Sequence, residues 1–206
     1  MKRESCDTSH VSTLLCGRLP TSTSHACVPA DRVFVLGDTR GELGGSVYWE
    51  AVFDCRGGEP PVVRLESERR LVEFLVAAAR QGLLRSAHDC SDGGLGIALA
   101  EVAMGGPYQE TGLGLDVELT QYAAPLAAHD LLFSESHGRA VITCAPERAA
   151  AVAALAAEHD VPAFPAGSIG QPNGHFRVRL RDAVIEQPVA SLREVYCSAI
   201  PRRMGD

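Results

Sequence analysis

The sequence predicts an α+β fold in which helices cover a mixed sheet. Three observations carry that expectation. Residues 65–84 hold an amphipathic helical period, and residues 96–104 form an apolar helix with a single charge. Residues 113–117 and 176–180 alternate as half-buried strands. Helices and strands therefore interleave along 206 residues, a length for one domain or one domain with an appendage.

Residues 1–30 are rich in Ser, Thr, Cys and His and show neither period, so they are expected to be a disordered or non-native leader. Cys6, His10, Cys16, His25 and Cys27 within them fit no common metal-site spacing. The folded domain is expected over residues 31–206. Arg32 to Gly37 is a short apolar strand ended by glycine, and Gly41 to Ser46 is a turn. Val47 to Phe53 suits either a helix capped by Ser46 or a strand, and Gly57 to Pro61 is a loop. In the helix Leu65–Leu84, Leu71, Leu75, Ala78 and Leu83 make one stripe, while Glu66, Glu68, Arg69, Arg80 and Gln81 lie off it.

Ser91 and Asp92 are good caps for the apolar helix that follows, and Gly105-Gly106-Pro107 stops it. Leu113, Leu115 and Val117 form a strand, Gln121 to Leu132 a short helix, and Ala140 to Cys144 another strand. Pro146 suits the first turn of the alanine-rich helix 147–158. Val161 to Ile169 carries two prolines and is expected at a sheet edge. Phe176, Val178 and Leu180 alternate with three arginines, a solvated strand face in preference to a phosphate site. Pro188 to Ser198 is the last helix, with Leu192, Val195 and Tyr196 inward.

The net charge of −7, without a basic cluster, argues against a nucleic-acid or anionic-membrane surface. No apolar run approaches the roughly 18 residues of a membrane span. Seven cysteines without a C-x-x-C pair fit reduced thiols in a cytoplasmic protein better than a zinc site. Eighteen of the 19 basic residues are Arg, so no lysine beyond Lys2 is available to a nucleotide phosphate.

The richest stretch runs His88-Asp89-Cys90-Ser91-Asp92-Gly93-Gly94-Leu95 into the apolar helix. Free amides at a glycine-rich helix start attract anions, so Ser91, Asp92, Gly93 and Gly94 are phosphate or nucleotide candidates, against the alternative of a capped core helix. Asp89, Asp92 and Glu135 are the carboxylates suited to a hard cation if their loops converge; the alternative is that the aspartates tie the turn. His88 has no positioned partner in the pattern and reads as structural, and Cys90 as a filler residue. No catalytic residue is assigned, and the metal ligands, if any, are unknown.

Three ordered segments carry a resemblance. They are Val35-Leu36-Gly37-Asp38-Thr39-Arg40-Gly41-Glu42-Leu43-Gly44-Gly45-Ser46, the His88–Glu101 string, and Leu132-Phe133-Ser134-Glu135-Ser136-His137-Gly138-Arg139. Together they resemble the last domain of formylglycinamide ribonucleotide amidotransferase (phosphoribosylformylglycinamidine synthase), and the ending at Ile200-Pro201 is similar to the short form of its synthetase subunit. The resemblance implies the carboxy-terminal domain fold of aminoimidazole ribonucleotide synthetase. It implies ATP and magnesium as cofactors, held mostly by domains that precede this one. It implies amino-terminal synthetase domains and a separate glutaminase subunit as partners, with no nucleic acid or membrane. Such enzymes activate a formamide oxygen with ATP and let ammonia displace the phosphate. Glu135, Ser136 and His137 would take the auxiliary, pseudo-symmetric position, with His137 standing where the family has Gln. The other readings are a non-catalytic assembly module from a truncated frame, or another synthetase of the superfamily, such as selenophosphate synthetase or the hydrogenase-maturation ATPase. The motifs of those synthetases lack the Ser-Asp-Gly-Gly-Leu and Phe-Ser-Glu-Ser combination.

Overall fold

The computed structural model describes residues 26, 28–105, 111–123 and 125–205. Its strands are β1 (Arg32–Leu36), β2 (Ser86–Asp89), β3 (Leu113–Glu118), β4 (Ala140–Cys144), β5 (Ala163–Pro172), β6 (His175–Arg179) and β7 (Val184–Pro188). Its helices are α1 (Val47–Phe53), α2 (Leu65–Arg80), α3 (Gly94–Met104), α4 (Ala128–Phe133), α5 (Ala149–Glu158) and α6 (Val189–Met204). A single 3₁₀ turn with Pro146 at its start leads into α5. The seven strands form one sheet in the order β2-β4-β1-β5-β3-β6-β7. Only β3 and β6 pair in parallel, so the expected mixed sheet is present.

Alternation along the strands sends side chains to two cores. On one face, Val33, Val35, Leu115, Val117, Val141 and Val178 pack with Leu95, Leu99 and Val102 of α3. On the other, Phe34, Leu36, Ile142 and Cys144 pack with Phe74 of α2 and Val152 of α5. β1 serves both cores, which is why four of its five residues are buried and its sequence is a continuous apolar run. α3 lies in the first core with eight of its eleven residues buried, as its all-round apolarity requires.

Several elements depart from the sequence expectation. β5 was expected at an edge but lies between β1 and β3. The register shift between Val33 and Phe34 falls where β1 passes Gly167 and Pro165, and a bulge there tolerates a residue with no amide hydrogen. β2 and β7 are edge strands that the pattern did not show. β2 carries Ser86, His88 and Asp89 in four residues. α6 begins at Val189, and its Val195 and Tyr196 are exposed instead of inward, because only Val189 is buried in that helix. Arg177 and Arg179 form ion pairs with Asp116, and Arg177 also pairs with Glu186, so the charged strand face answers its own charge.

Contacts of the domain begin before the expected boundary at Asp31. Ala26 is buried in the first core, its amide donates to the Val102 carbonyl at 3.0 Å, and the Ala30 amide donates to Ile169 at 2.8 Å. A small apolar residue beside α3 excludes water there, which the residue-type pattern of the segment does not reveal. Residues 1–25 and 27 lie outside the described residues.

Asp31 is 2 % exposed, and its Oδ2 has no hydrogen-bond partner among the described residues. The Arg85 Nε stands 3.9 Å away. Burial raises the Asp31 carboxyl above its ordinary 3.8, outweighing the pull of Arg85, and Glu147 adds to the rise. A folded state that holds its proton more tightly than the unfolded chain is favoured at low pH. That stability is lost as pH rises through the folded pKa. Asp31→Asn is therefore expected to stabilise the domain at neutral pH by on the order of 1 kcal/mol. Thermal melts across pH should show the gain shrink towards 3.8 and below. A variant less stable than the parent at neutral pH would show that the charge of Asp31 is needed.

Candidate functional site

All three motif segments meet at one end of the sheet, and backbone contacts make the meeting obligatory. Gly94 sits at φ 67° with its α-carbon against the 132–134 backbone; a β-carbon there would lie 2.3 Å from the Ser134 carbonyl oxygen. Gly37, at the end of β1, makes the same kind of approach to Gly138, whose carbonyl oxygen would be 2.0 Å from a β-carbon. Only glycine combines that positive φ with so little room.

Two charged residues of the third segment bind this meeting point. Arg139 is 3 % exposed. Its Nε donates to the Ser136 carbonyl (2.8 Å), Nη2 to the Ser134 carbonyl (2.6 Å) and Nη1 to Thr39 Oγ1 (2.9 Å). Thr39 and the Tyr122 hydroxyl share a hydrogen bond of 3.1 Å, and Tyr122 donates to the Gly37 carbonyl, also at 3.1 Å. Arginine only donates, so the proton directions run from Arg139 to Thr39, to Tyr122, to the β1 backbone. Burial pushes the Tyr122 phenol up to about 12, against the opposing hydrogen bond with Thr39.

Glu135 works on the outer side. Its Oε1 accepts from the Gly93 amide at 2.8 Å and from the Val47 amide at 3.0 Å, and its own amide donates to the Glu42 carbonyl. Ser136 is buried and accepts from the Arg40 amide. Burial alone would raise Glu42. The Ser136 hydroxyl, the Val62 amide and Arg64 outweigh it and hold its carboxyl below the ordinary range.

These contacts alter the expected role of the turn. Ser91 and Asp92 were expected to cap α3, but the N-cap is Gly93, without a side-chain cap of its own. Ser91 donates instead to Asp89, and the cap comes from Glu135 in another loop. The amides of Gly93 and Gly94 go to Glu135 and to the Ser91 carbonyl, so both are engaged within the chain. Ser91, Asp92, Asp89 and His137 are exposed; Gly93, Gly94 and Ser136 are buried; Glu135 is half-buried. His88 Nδ1 donates to the Asp89 carbonyl (2.7 Å), with Nε2 3.4 Å from Glu101. The Cys90 thiol is buried and desolvation pushes it up to about 11, which leaves it protonated and inert at neutral pH.

Among the described residues no group of three or more His, Cys, Asp or Glu gathers as a metal site. Glu135 spends one carboxylate oxygen on two amides, and Asp89 accepts from Ser91, so these two carboxylates do not by themselves make a magnesium site. Beside the hub, a cleft of about 300 Å³ is lined by Asp38, Thr39, Gln121, Tyr122, Pro162 and Phe164. Residue-by-residue reading missed Arg139, Thr39, Glu42 and Tyr122. The first three fall inside the motif segments, whereas Tyr122 carries no sequence signal.

The family of AIR synthase related proteins, C-terminal domain, matches residues 28–179. The chain belongs to this family. It is 40 % identical over 174 residues to the phosphoribosylformylglycinamidine synthase subunit PurL of Thermobifida fusca, covering 84 % of this chain and 21 % of that protein. Thermotoga maritima PurL complexed with FGAR matches with a TM-score of 0.71 at 21 % identity, over 84 % of this chain and 29 % of that one. PurLQS from the same organism matches at 0.62, with 23 % identity over 84 % and 27 %. At such identities the solved structures establish the AIR synthase-type fold. The chain spans about a fifth of the length of the curated relative it matches at 40 % identity.

The hub makes a quantitative expectation for this family member. Arg139→Ala removes three charge-assisted donors from buried oxygens and should cost about 3 kcal/mol or more. Arg139→Lys should recover only part of it, because an ammonium cannot span two carbonyls and a hydroxyl in one plane. Urea unfolding of both variants checks this. Equal stability of Arg139→Ala and the parent would remove Arg139 from the centre of the fold.

Proposed function

We propose that this chain serves as the carboxy-terminal AIR synthase-type domain of a PurL-like phosphoribosylformylglycinamidine synthase. The supporting observation is the convergence of all three motif segments on Glu135 and Arg139, in a chain with PurL relatives. The reaction is the ATP-dependent, magnesium-dependent conversion of formylglycinamide ribonucleotide to its amidine. T. maritima PurL has been solved with ATP, which supports ATP as the cofactor of the whole enzyme. The partners are the amino-terminal synthetase domains and a glutaminase subunit, in the cytoplasm. No described helix is long and apolar enough to cross a membrane.

In this reading the domain supplies one wall of a cleft. Ser91, Asp92, Gly93 and Gly94 stand at its nucleotide side, and Asp89, Glu135, Ser136 and His137 at the auxiliary side. Phosphoryl transfer draws nearly all its rate from positioning and neutralisation of charge. One wall with no lysine after Lys2, and no carboxylate set gathered among its described residues, supplies little of either. The chain alone is therefore expected to produce no ADP or amidine from formylglycinamide ribonucleotide, magnesium, ATP and ammonium. Turnover by the isolated chain that vanishes in Asp92→Ala would overturn that expectation. A positive test replaces the matching domain of T. fusca PurL with this chain. An active chimera supports the assignment, and a folded but inactive one counts against it.

A further inference from the structure

We propose that Glu135 is a latch holding residues 41–64 as a flap against the first turn of α3. The flap is thinly attached. α1 contains no buried residue, and Val52, Phe53, Val62 and Val63 are each more than half exposed, from 54 % to 63 %. Leu43 and Ser46 are its buried anchors. Segments with few buried apolar contacts open at low free-energy cost. What fixes this one to the domain is short. Tyr48 stacks on Phe133 at 4.8 Å and lies parallel to the His129 ring at 6.1 Å, the Glu135 amide donates to the Glu42 carbonyl, and the Glu135 carboxylate accepts from Val47; just before the flap, the Arg40 amide donates to Ser136.

A single oxygen gives the arrangement its character as a switch. Glu135 Oε1 accepts from Gly93 at the start of α3 and from Val47 at the start of α1. Any group that draws the carboxylate away from one amide takes it from the other. The core side of the turn is rigid, since Gly93, Gly94 and Leu95 are buried, whereas α1 is not. Loss of the carboxylate therefore frees the flap while α3 stays packed. The device links the state of the α3 turn to the position of the segment bordering it, as lids at other sites do. It rests on this chain's own contacts. Amidine synthesis by a completed enzyme neither requires nor excludes it, so the two tests fail separately.

Amide hydrogen exchange on the full chain tests the latch. In Glu135→Ala, amides of residues 47–53 should exchange at least about tenfold faster, the consequence of losing a charge-assisted bond, while those of residues 98–103 keep their protection. Glu135→Gln retains a neutral acceptor and should show a smaller rise in the same amides. Unchanged exchange in α1 overturns the proposal, and so does an equal rise in α1 and α3, which marks general destabilisation. Should Glu135→Ala fail to fold, Glu135→Gln decides: a rise confined to α1 supports the latch, and its absence overturns it.

Discussion

A buried guanidinium sets the terms for this end of the domain. Arg139 follows Gly138 directly and immediately precedes β4, so its backbone borders the sheet while its side chain reaches into the loops. Leaving any of its donors unmet inside the protein would cost far more than the bond returns. The Ser134 and Ser136 carbonyls must therefore turn inward, and Thr39 must lie within reach. Once those oxygens are placed, Glu135 lies between two inward residues and its side chain is carried to the outer surface. There it meets the amides of Gly93 and Val47. Both charged residues of the loop thus serve backbone and hydroxyl groups, and the loop joins three segments that are distant in sequence.

Much of the architecture was legible because burial writes a period. β1, β3, β4 and β6, with α2, α3 and α5, all follow from apolar spacing. What failed to show has physical causes. β2 is a short edge strand bearing Ser, His and Asp, and edges need no apolar alternation. The proline rule pointed β5 to an edge, yet a bulge in the neighbouring pairing accommodates Pro165 in the middle of the sheet. The exposed Val195 and Tyr196 look inward by composition alone, since helical period cannot say which apolar face finds a neighbour.

The site was legible in a different way. Its segments were found by resemblance, and their convergence follows from glycines whose role is close approach. The source of the α3 cap was not legible, because capping rules look three residues ahead and here the acceptor lies 42 residues away. Ser91 and Asp92 satisfy the local rule, but the turn bends at Gly93 with φ 77° and puts its amide beyond their reach. A long-range cap costs more ordering entropy than a local one, and what it returns is a tie between loops that local capping cannot make.

That tie separates the motif residues into two groups. Gly37, Thr39, Gly94, Ser134, Glu135, Ser136 and Arg139 are engaged by the fold, each by a named contact. Packing and backbone hydrogen bonds account for where each of these residues stands. Asp92 and His137 are exposed, and their side chains make no hydrogen bond or ion pair among the described residues. A carboxylate and an imidazole therefore face solvent at the rim, while the junction beneath them is held by backbone and hydroxyl contacts that use neither.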